Sequence, residues 1–167
     1  MITIRRATQQ DVSGICKVCA AGYRDTYQET HSASYIERVI QEFYQPERIL
    51  KELEPQSGWD GWFVALDHGR VTGAGAGGLT SEGTGELFVL YLDPKRRGEG
   101  IGTLLLNAIT EVQKSQGAKE QWVSVSENNQ KGIPFYEARG FKRIRRVPTF
   151  ASKEEEGYYS LRYRRVL

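Results

Sequence analysis

Three glycines and three cations crowd into residues 95–102, KRRGEGIG, directly before the amphipathic segment TLLLNAITEVQKSQG. Glycine is a poor helix former, so glycines at alternate positions before a helix need a reason. One interpretation is a flexible turn with charged ends. The other is a cradle for a phosphate-bearing ligand, held by backbone N–H groups at the helix N-terminus and balanced by the cations.

The spacing of the glycines excludes two common phosphate-binding motifs. A P-loop requires G-x-x-x-x-G-K-[ST], which is absent from the chain. The dinucleotide fingerprint G-x-G-x-x-G follows an N-terminal strand, whereas Gly98, Gly100 and Gly102 alternate and follow a late strand. What remains is a strand, the dipeptide DP, basic residues, and R-x-x-G-x-G over residues 97–102.

This pattern resembles the acyl-CoA-binding signature of the GNAT superfamily of N-acetyltransferases. The segment LFVLYLDPKRRGEGIGTLLL is similar to the family's central strand, turn and helix. ENNQKGIPFYEARGF is similar to its second signature, an Asn followed by Phe-Tyr before Gly-Phe. The resemblance covers about residues 63–141 and implies acetyl-CoA as cosubstrate, with no metal. Gly132 and Pro134 depart from the pattern, because the family more often has alanine and a helix former there.

The turn has the chemistry of a pyrophosphate site. Successive backbone N–H groups donate to phosphate oxygens, and glycine permits close approach because no side chain intervenes. Lys95, Arg96 or Arg97 balances the charge. The resemblance implies that backbone groups of the central strand pair with the pantetheine amides, as an added strand would, and that Asn129 bonds the same arm; the alternative for Asn129 is simple loop capping. The expected CoA-binding residues are Leu90, Tyr91, Leu92, Arg97, Gly98, Glu99, Gly100, Ile101, Gly102, Thr103, Asn129 and Tyr136.

Acetyl transfer to an amine requires a neutral amine, a stabilised oxyanion and a protonated leaving thiolate. The resemblance implies that Tyr136 is the general acid; the alternative is a tyrosine of the core. Glu86, at the start of the central strand, matches a position where many relatives carry a catalytic glutamate, and the alternative is a solvated strand residue. A backbone N–H of this strand, that of Leu90, is expected to polarise the thioester carbonyl.

The acceptor amine is less well specified. The early segment AGYRDTYQETHSASYIERVIQEFYQPERILKEL is faintly similar to bacterial polyamine acetyltransferases. Its acidic residues, together with EEE at residues 154–156, favour a cationic amine. A small amine or polyamine is therefore the favoured acceptor, and protein N-termini or lysines remain open. The alternative from another class is a CoA-binding sensor or interaction module without turnover.

Composition sets the wider limits. The 167 residues are 39% apolar and 26% charged, as in a globular protein. A net charge of +2 is too small to indicate nucleic-acid binding, and the basic clusters KRIRR and RYRR are typical of a solvated sheet edge. No apolar run is long enough for a membrane span, and the N-terminus has no apolar signal region, so we expect a cytoplasmic protein. Its oligomeric state is open, with a homodimer as one alternative. Cys16 and Cys19 favour core packing over redox or zinc chemistry.

The elements that position these residues follow from periodicity. Alternating and helical patterns predict the order β, helices, ββ, β, α, β, α, ββ, with a hairpin turn at His68 and Gly69. This order predicts a mixed α/β (α+β) fold, with one mostly antiparallel sheet flanked by helices in a single GNAT-like domain over residues 1–167. The helix after the glycine turn is expected to bury one face, made of Ile101, Leu104, Leu105, Ala108, Ile109 and Val112.

Overall fold

The computed structural model describes residues 1–167 and contains seven strands and five α-helices. The predicted order of elements is confirmed. In chain order they are β1 (Ile2–Arg6), α1 (Val12–Tyr27), α2 (Ala33–Phe43), α3 (Pro46–Lys51), β2 (Trp62–Asp67), β3 (Arg70–Ser81), β4 (Thr84–Leu92), α4 (Ile101–Ser115), β5 (Glu120–Ser126), α5 (Gly132–Ala138), β6 (Lys142–Pro148) and β7 (Tyr159–Val166).

All seven strands form one sheet in the order β1-β2-β3-β4-β5-β7-β6. Every neighbouring pair is antiparallel except β4 and β5, which are parallel, so the predicted fold class is confirmed. The basic strand β6 lies at the sheet edge and is exposed along most of its length, as the sequence predicts. The RYRR cluster does not lie at the edge, contrary to the prediction, because it belongs to β7, which is paired on both sides with β5 and β6 and is mostly buried or half-buried.

Local signals determine where several elements begin. The β2–β3 hairpin turns at His68 and Gly69, which have φ values of 50° and 75°, in the left-handed region that favours glycine. The Ser32 side chain accepts a hydrogen bond from the N–H of Tyr35 at 3.2 Å and caps α2. Pro46 occupies the first turn of α3, where its missing N–H costs nothing.

The sheet is covered on both faces. Helix α4 packs on one face around Leu105 and Ile109, and α1 packs on the other around Ile15 and Cys19. The core packing predicted for Cys19 is confirmed, since it is fully buried, whereas Cys16 is only partly buried. A third cluster of tyrosines and aliphatic residues joins α1 to α2. No helix is long and apolar enough to cross a membrane.

The buried face of α4 differs from the prediction at two leucines. Leu104 is 42% exposed, whereas Leu106, which the sequence does not place in the core, is fully buried. The prediction for Leu104 is wrong because α4 is rotated about its axis so that Leu105 and Leu106, and not Leu104, belong to the core between α4 and the sheet. Periodicity defines an apolar stripe but not the direction in which the neighbouring elements lie.

Candidate active site

Strands β4 and β5 pair only along their first residues and then separate. Their register runs from Thr84 opposite Glu120 to Leu87 opposite Val123 and ends there. Beyond this point β4 remains paired with β3 alone. The backbone groups of Leu90 and its neighbours that face β5 are therefore available to a ligand, as an added strand would require. This gap lies at the centre of the sheet.

A β-bulge lies at the point where the two strands separate. Ala76 is opposite Val89 and Gly77 is opposite Leu87, so Phe88 is an extra residue on β4. A bulge re-aims the backbone and side chains on its strand. As a consequence Val89 and Tyr91 face α1, whereas Leu90 faces α4.

A buried amide network holds β4 immediately before this bulge. The Gln113 side chain of α4 donates a 2.9 Å hydrogen bond to the carbonyl of Glu86, and its own oxygen accepts a 3.0 Å bond from Gln121 of β5. Both glutamines are fully buried. A Cβ atom at Gly85 would lie 2.1 Å from the Gln113 side-chain oxygen, so a larger residue cannot replace that glycine without moving the network. Helix α4 thereby sets the spacing of β4 and β5.

The glycine turn forms an open cradle at the N-terminus of α4. Gly98 and Gly100 have φ values of 83° and 80°, and a Cβ atom on either would meet nothing within 4 Å. The backbone of the turn is therefore accessible at the N-terminus of α4, where an anionic ligand is favoured. Arg97 pairs with Asp25 of α1 at 3.1 Å, while its buried Nε has no hydrogen-bond partner. A buried donor without an acceptor is costly, so this atom fits an anionic ligand in the cradle.

The other residues of the turn differ in their surroundings. Ile101 is fully buried in the core, and Glu99 accepts two hydrogen bonds from Arg96, at 2.7 and 2.8 Å. The Thr103 hydroxyl accepts from the guanidinium of Arg139, at 3.2 Å from Nε. Arg139 comes from the end of α5 and adds a cation beside the first turn of α4, which the sequence pattern does not indicate.

A channel of about 110 Å³ leads from the cradle into the gap between the strands. It contains many of the predicted residues, and Thr26, Lys131 and Phe135 are lining residues that the sequence analysis missed. The Asn129 side-chain oxygen accepts from the N–H of Gly132 at 2.7 Å, so Asn129 caps its loop as well as facing the channel. The predicted residues that line the channel are Leu90, Tyr91, Leu92, Arg97, Gly102, Asn129 and Tyr136.

Tyr136 lies where the channel meets a second, smaller cavity of about 80 Å³. Its ring packs edge-on against Phe135 and Phe141, so it is a core residue as well as a wall of the cavity. Burial raises the pKa of Tyr136, and the nearby Tyr27 adds to the rise. The hydroxyl therefore stays protonated at neutral pH and can act as a proton donor.

Tyr27, the last residue of α1, is a further wall of the small cavity that the sequence analysis missed. Burial raises the pKa of Tyr27 to about 12, and hydrogen bonding with Tyr91 and Asn129 limits the rise. No motif signals this residue, because it reaches the cavity from the opposite face of the gap.

Glu86 lines neither the channel nor the small cavity. Its two carboxylate oxygens accept hydrogen bonds from Arg162 of β7, at 2.7 and 2.9 Å, and Arg162 also donates to the hydroxyl of Ser124 at 2.8 Å. Ser124 lines the small cavity. Glu86 is thus linked to the wall of the small cavity through Arg162 and Ser124.

A larger pocket of about 360 Å³ opens on the other side of the small cavity. Tyr27, Tyr44, Phe88, Tyr91 and Ser124 line both. Aromatic side chains dominate its walls, together with α2 and the loop that precedes β7. Its charged lining residues are Arg48 and Glu52.

The loop before β7 is fastened to α2 by several contacts. Arg38 donates to both carboxylate oxygens of Glu156, at 2.7 and 3.0 Å, and to the carbonyl of Ala151. This pairing lowers the pKa of Glu156 to about 2. Tyr158 stacks on His31 with ring centroids 4.0 Å apart. None of the three consecutive glutamates at residues 154–156 lines the large pocket, so the structure does not bring them to it.

A parted pair of central strands, a bulge, and a glycine turn at a helix N-terminus define the acyl-CoA N-acyltransferase class of site. Residues 22–141 match the model of the acetyltransferase (GNAT) family. The chain belongs to this family and is an acetyl-CoA-dependent N-acetyltransferase.

Individual relatives agree with this assignment. A spermidine N(1)-acetyltransferase of Thermoplasma acidophilum is 31% identical over 143 residues, which is 84% of this chain and 88% of the relative. An uncharacterized N-acetyltransferase of Bacillus subtilis, YuaI, is 32% identical over 149 residues, covering 86% and 82%. The crystal structure of the PaiA N-acetyltransferase of T. acidophilum in complex with coenzyme A superimposes with a TM-score of 0.85 and 24% identity, covering 100% and 99%. At this identity the structural likeness shows a shared fold.

Proposed function

We propose that this enzyme acetylates a small primary amine, with a polyamine such as spermidine as the first candidate acceptor. The observation that carries the proposal is the continuity of three cavities. The channel and the small cavity share Tyr136, and the small cavity and the aromatic pocket share Tyr27 and Phe88. A thioester held along β4 would thus meet an amine arriving from the opposite side.

The proposed reaction forms a bond between the amine nitrogen and the acetyl carbon and breaks the bond from that carbon to sulfur. Backbone N–H groups from residue 97 to Thr103 would hold the pyrophosphate, and β4 would hold the pantetheine arm. The backbone N–H of Leu90, two residues after the bulge, would stabilise the oxyanion. Tyr136 would give its hydroxyl proton to the departing thiolate, and the proton lost from the amine leaves towards solvent or a base.

Glu86 is the proposed base for removing a proton from the incoming ammonium. An alkyl amine has a pKa near ~10 and arrives mostly charged at neutral pH. Arg162 donates both to Glu86 and to the Ser124 hydroxyl, which lines the small cavity, so the proton would travel through this hydroxyl or a water. Arg162 keeps Glu86 oriented by two hydrogen bonds.

A protein N-terminus or lysine is the second candidate acceptor. The shape of the pocket favours a small molecule, because α2 and the loop fastened by Arg38 and Glu156 cover one side of it. The similarity to a spermidine acetyltransferase over most of both chains supports the same choice.

A thiol-release assay with acetyl-CoA tests the proposal. The acceptors are spermidine, a simple alkyl amine, a peptide with a free N-terminus and a lysine peptide with a blocked one. We expect spermidine to give the highest kcat/KM. Its KM is expected to rise with salt, because charge attraction is screened. Turnover with either peptide above that with every small amine would contradict the proposal.

A further inference from the structure

The aromatic pocket carries one carboxylate, that of Glu52, at the end of α3. We infer that Glu52 is a specificity-determining residue, which binds a second, cationic amine of the acceptor while the first amine reacts. The inference rests on the proposed function, since it assumes a small amine acceptor. It narrows that acceptor to a diamine or longer polyamine.

Two tryptophans hold Glu52 in place. The indole N–H of Trp62 donates to carboxylate oxygen Oε1 at 3.1 Å, and the indole N–H of Trp59 donates to the Glu52 carbonyl at 2.8 Å. Trp62 is 2% exposed, so its N–H has little access to water. The carboxylate is thus fixed at the pocket wall before any ligand arrives, which lowers the entropy cost of binding.

The path from Glu52 to the reacting atoms follows the walls of the pocket. Trp59 stacks on Phe88 with ring centroids 6.0 Å apart and planes inclined by 21°. Phe88 is the bulged residue of β4 and lines the small cavity beside Tyr136. Phe88 thus belongs to the walls of both the pocket that carries Glu52 and the cavity that holds Tyr136, so an acceptor with two amines joined by an alkyl chain would extend along this wall from one to the other.

The Glu52 carboxylate is paired with Arg48, which the ammonium group of an acceptor can displace. Arg48 donates to oxygen Oε2 at 3.1 Å, but its side chain is 43% exposed. Exposed pairs at this helical spacing contribute little to stability. Arg48 also lies over the ring of Phe43, 4.5 Å from its centroid, which shows that the wall accepts a cation.

The aromatic walls supply the rest of the binding site. The alkyl chain of a diamine would be buried between apolar ring faces, which is favourable. An ammonium beside those faces gains a cation–π attraction, as in aromatic cages for cationic ligands. A neutral alkyl tail gains only the first of these two contributions, so the difference between the two tails measures what the second positive charge adds, and the part that Glu52 supplies is the part lost when Glu52 is replaced.

The test compares 1,4-diaminobutane with pentylamine, which replaces the second amine with a methyl group. In the wild type we expect a higher kcat/KM for the diamine. Glu52→Gln keeps an acceptor for Trp62 and removes the charge. It is expected to lower kcat/KM for the diamine by about tenfold or more, while changing that for pentylamine less than about twofold. Arg48→Gln, which removes the competing cation, is expected to lower the KM of the diamine.

Glu54→Gln is the matched control, because Glu54 is exposed and lines none of the cavities. It should leave kcat/KM for both amines unchanged. The melting temperature of each variant checks that it is folded. Equal losses for both amines in Glu52→Gln, or no loss for either, would overturn the inference alone. A wild type with the same kcat/KM for pentylamine as for the diamine would also overturn it. A wild type that acetylates neither amine contradicts the proposed acceptor and the inference together.

Discussion

The guanidinium of Arg162 in β7 donates one hydrogen bond to each carboxylate oxygen of Glu86 in β4, at 2.7 and 2.9 Å, although the two residues are 76 positions apart in the sequence. Both side chains are mostly buried, with 18% and 14% exposed. β4 and β7 are not neighbours, because β5 lies between them. The pair therefore bridges over β5 at the point where the central strands begin to separate, and it ties the proposed base to the end of the chain.

Removing the charge of Glu86 distinguishes a residue that accepts a proton from one that only holds Arg162 in place. We expect Glu86→Gln to lower kcat/KM about tenfold or more at pH 7 and much less at pH 10, where the amine is already neutral and needs no base. The measurement is kcat/KM for one amine at both pH values, with the melting temperature recorded.

Glu120→Gln is the control for this experiment. Glu120 is also a strand carboxylate paired with an arginine, Arg164, but it lies outside the cavities. We expect it to leave kcat/KM nearly unchanged at both pH values. A loss in Glu86→Gln that is the same at pH 7 and pH 10 would mean that Glu86 acts by holding Arg162 and not by taking a proton.

The glycine cradle is tested by a branched side chain. Gly100→Val is expected to weaken coenzyme A binding about tenfold or more, because the side chain occupies the phosphate position. Valine is also strained at this φ of 80°. Gly117→Val reproduces that strain, since Gly117 has a φ of 94° and open space around it, but lies at the other end of α4.

Titration calorimetry on both folded variants measures the difference. Similar losses of stability in the two variants, with loss of coenzyme A affinity in Gly100→Val alone, are the expected result. Unchanged affinity in Gly100→Val would contradict the proposal that this turn binds a phosphate of coenzyme A.

Tyr136→Phe keeps the packing against Phe135 and Phe141 and removes only the hydroxyl. We expect kcat to fall about ten- to a thousandfold while coenzyme A affinity and melting temperature change little. Tyr163→Phe is the control, because Tyr163 is also buried but bonds Glu137 away from the cavities. Wild-type kcat in Tyr136→Phe, with chemistry rate-limiting, would rule it out as the acid.

The pH profile of kcat/KM should show no decrease on the alkaline side from deprotonation of Tyr136. Burial raises its pKa, so the proton donor persists on the alkaline side while more of the acceptor amine becomes neutral. We therefore expect kcat/KM to rise from pH 6 to pH 9 and to level off near the pKa of the amine, about 10. A decline between pH 8 and pH 9 in a stable enzyme would contradict a protonated Tyr136.

The amide network is tested by Gln113→Leu. This change removes the side-chain donor to the Glu86 carbonyl and leaves the Gln121 side-chain nitrogen with Thr110 as its one acceptor, so we expect a loss of about 1–3 kcal/mol in the free energy of unfolding. Gln41→Leu on the exposed face of α2 is the control. Urea unfolding measures both. A change in Gln113→Leu no larger than in the control would show that the network does not hold the strands.

The amino-acid sequence alone determined the elements and the glycine turn before α4. Alternation, helical periodicity and glycines that adopt positive φ are local properties, so the order of strands and helices and the cradle at Gly98 and Gly100 were predictable. Tyr136 and Asn129 were recognisable because their motif keeps fixed spacing along the chain. These features depend on neighbours within a few residues.

Only the tertiary structure decided what surrounds them. The position of Tyr27, the Arg162 partner of Glu86 and the Gln113 bond to β4 join segments far apart in the chain. The aromatic pocket with its single carboxylate at Glu52 is likewise assembled from several elements. Such contacts depend on how each helix is rotated against the sheet and on where paired strands separate, and packing sets both through long-range contacts that no local pattern encodes.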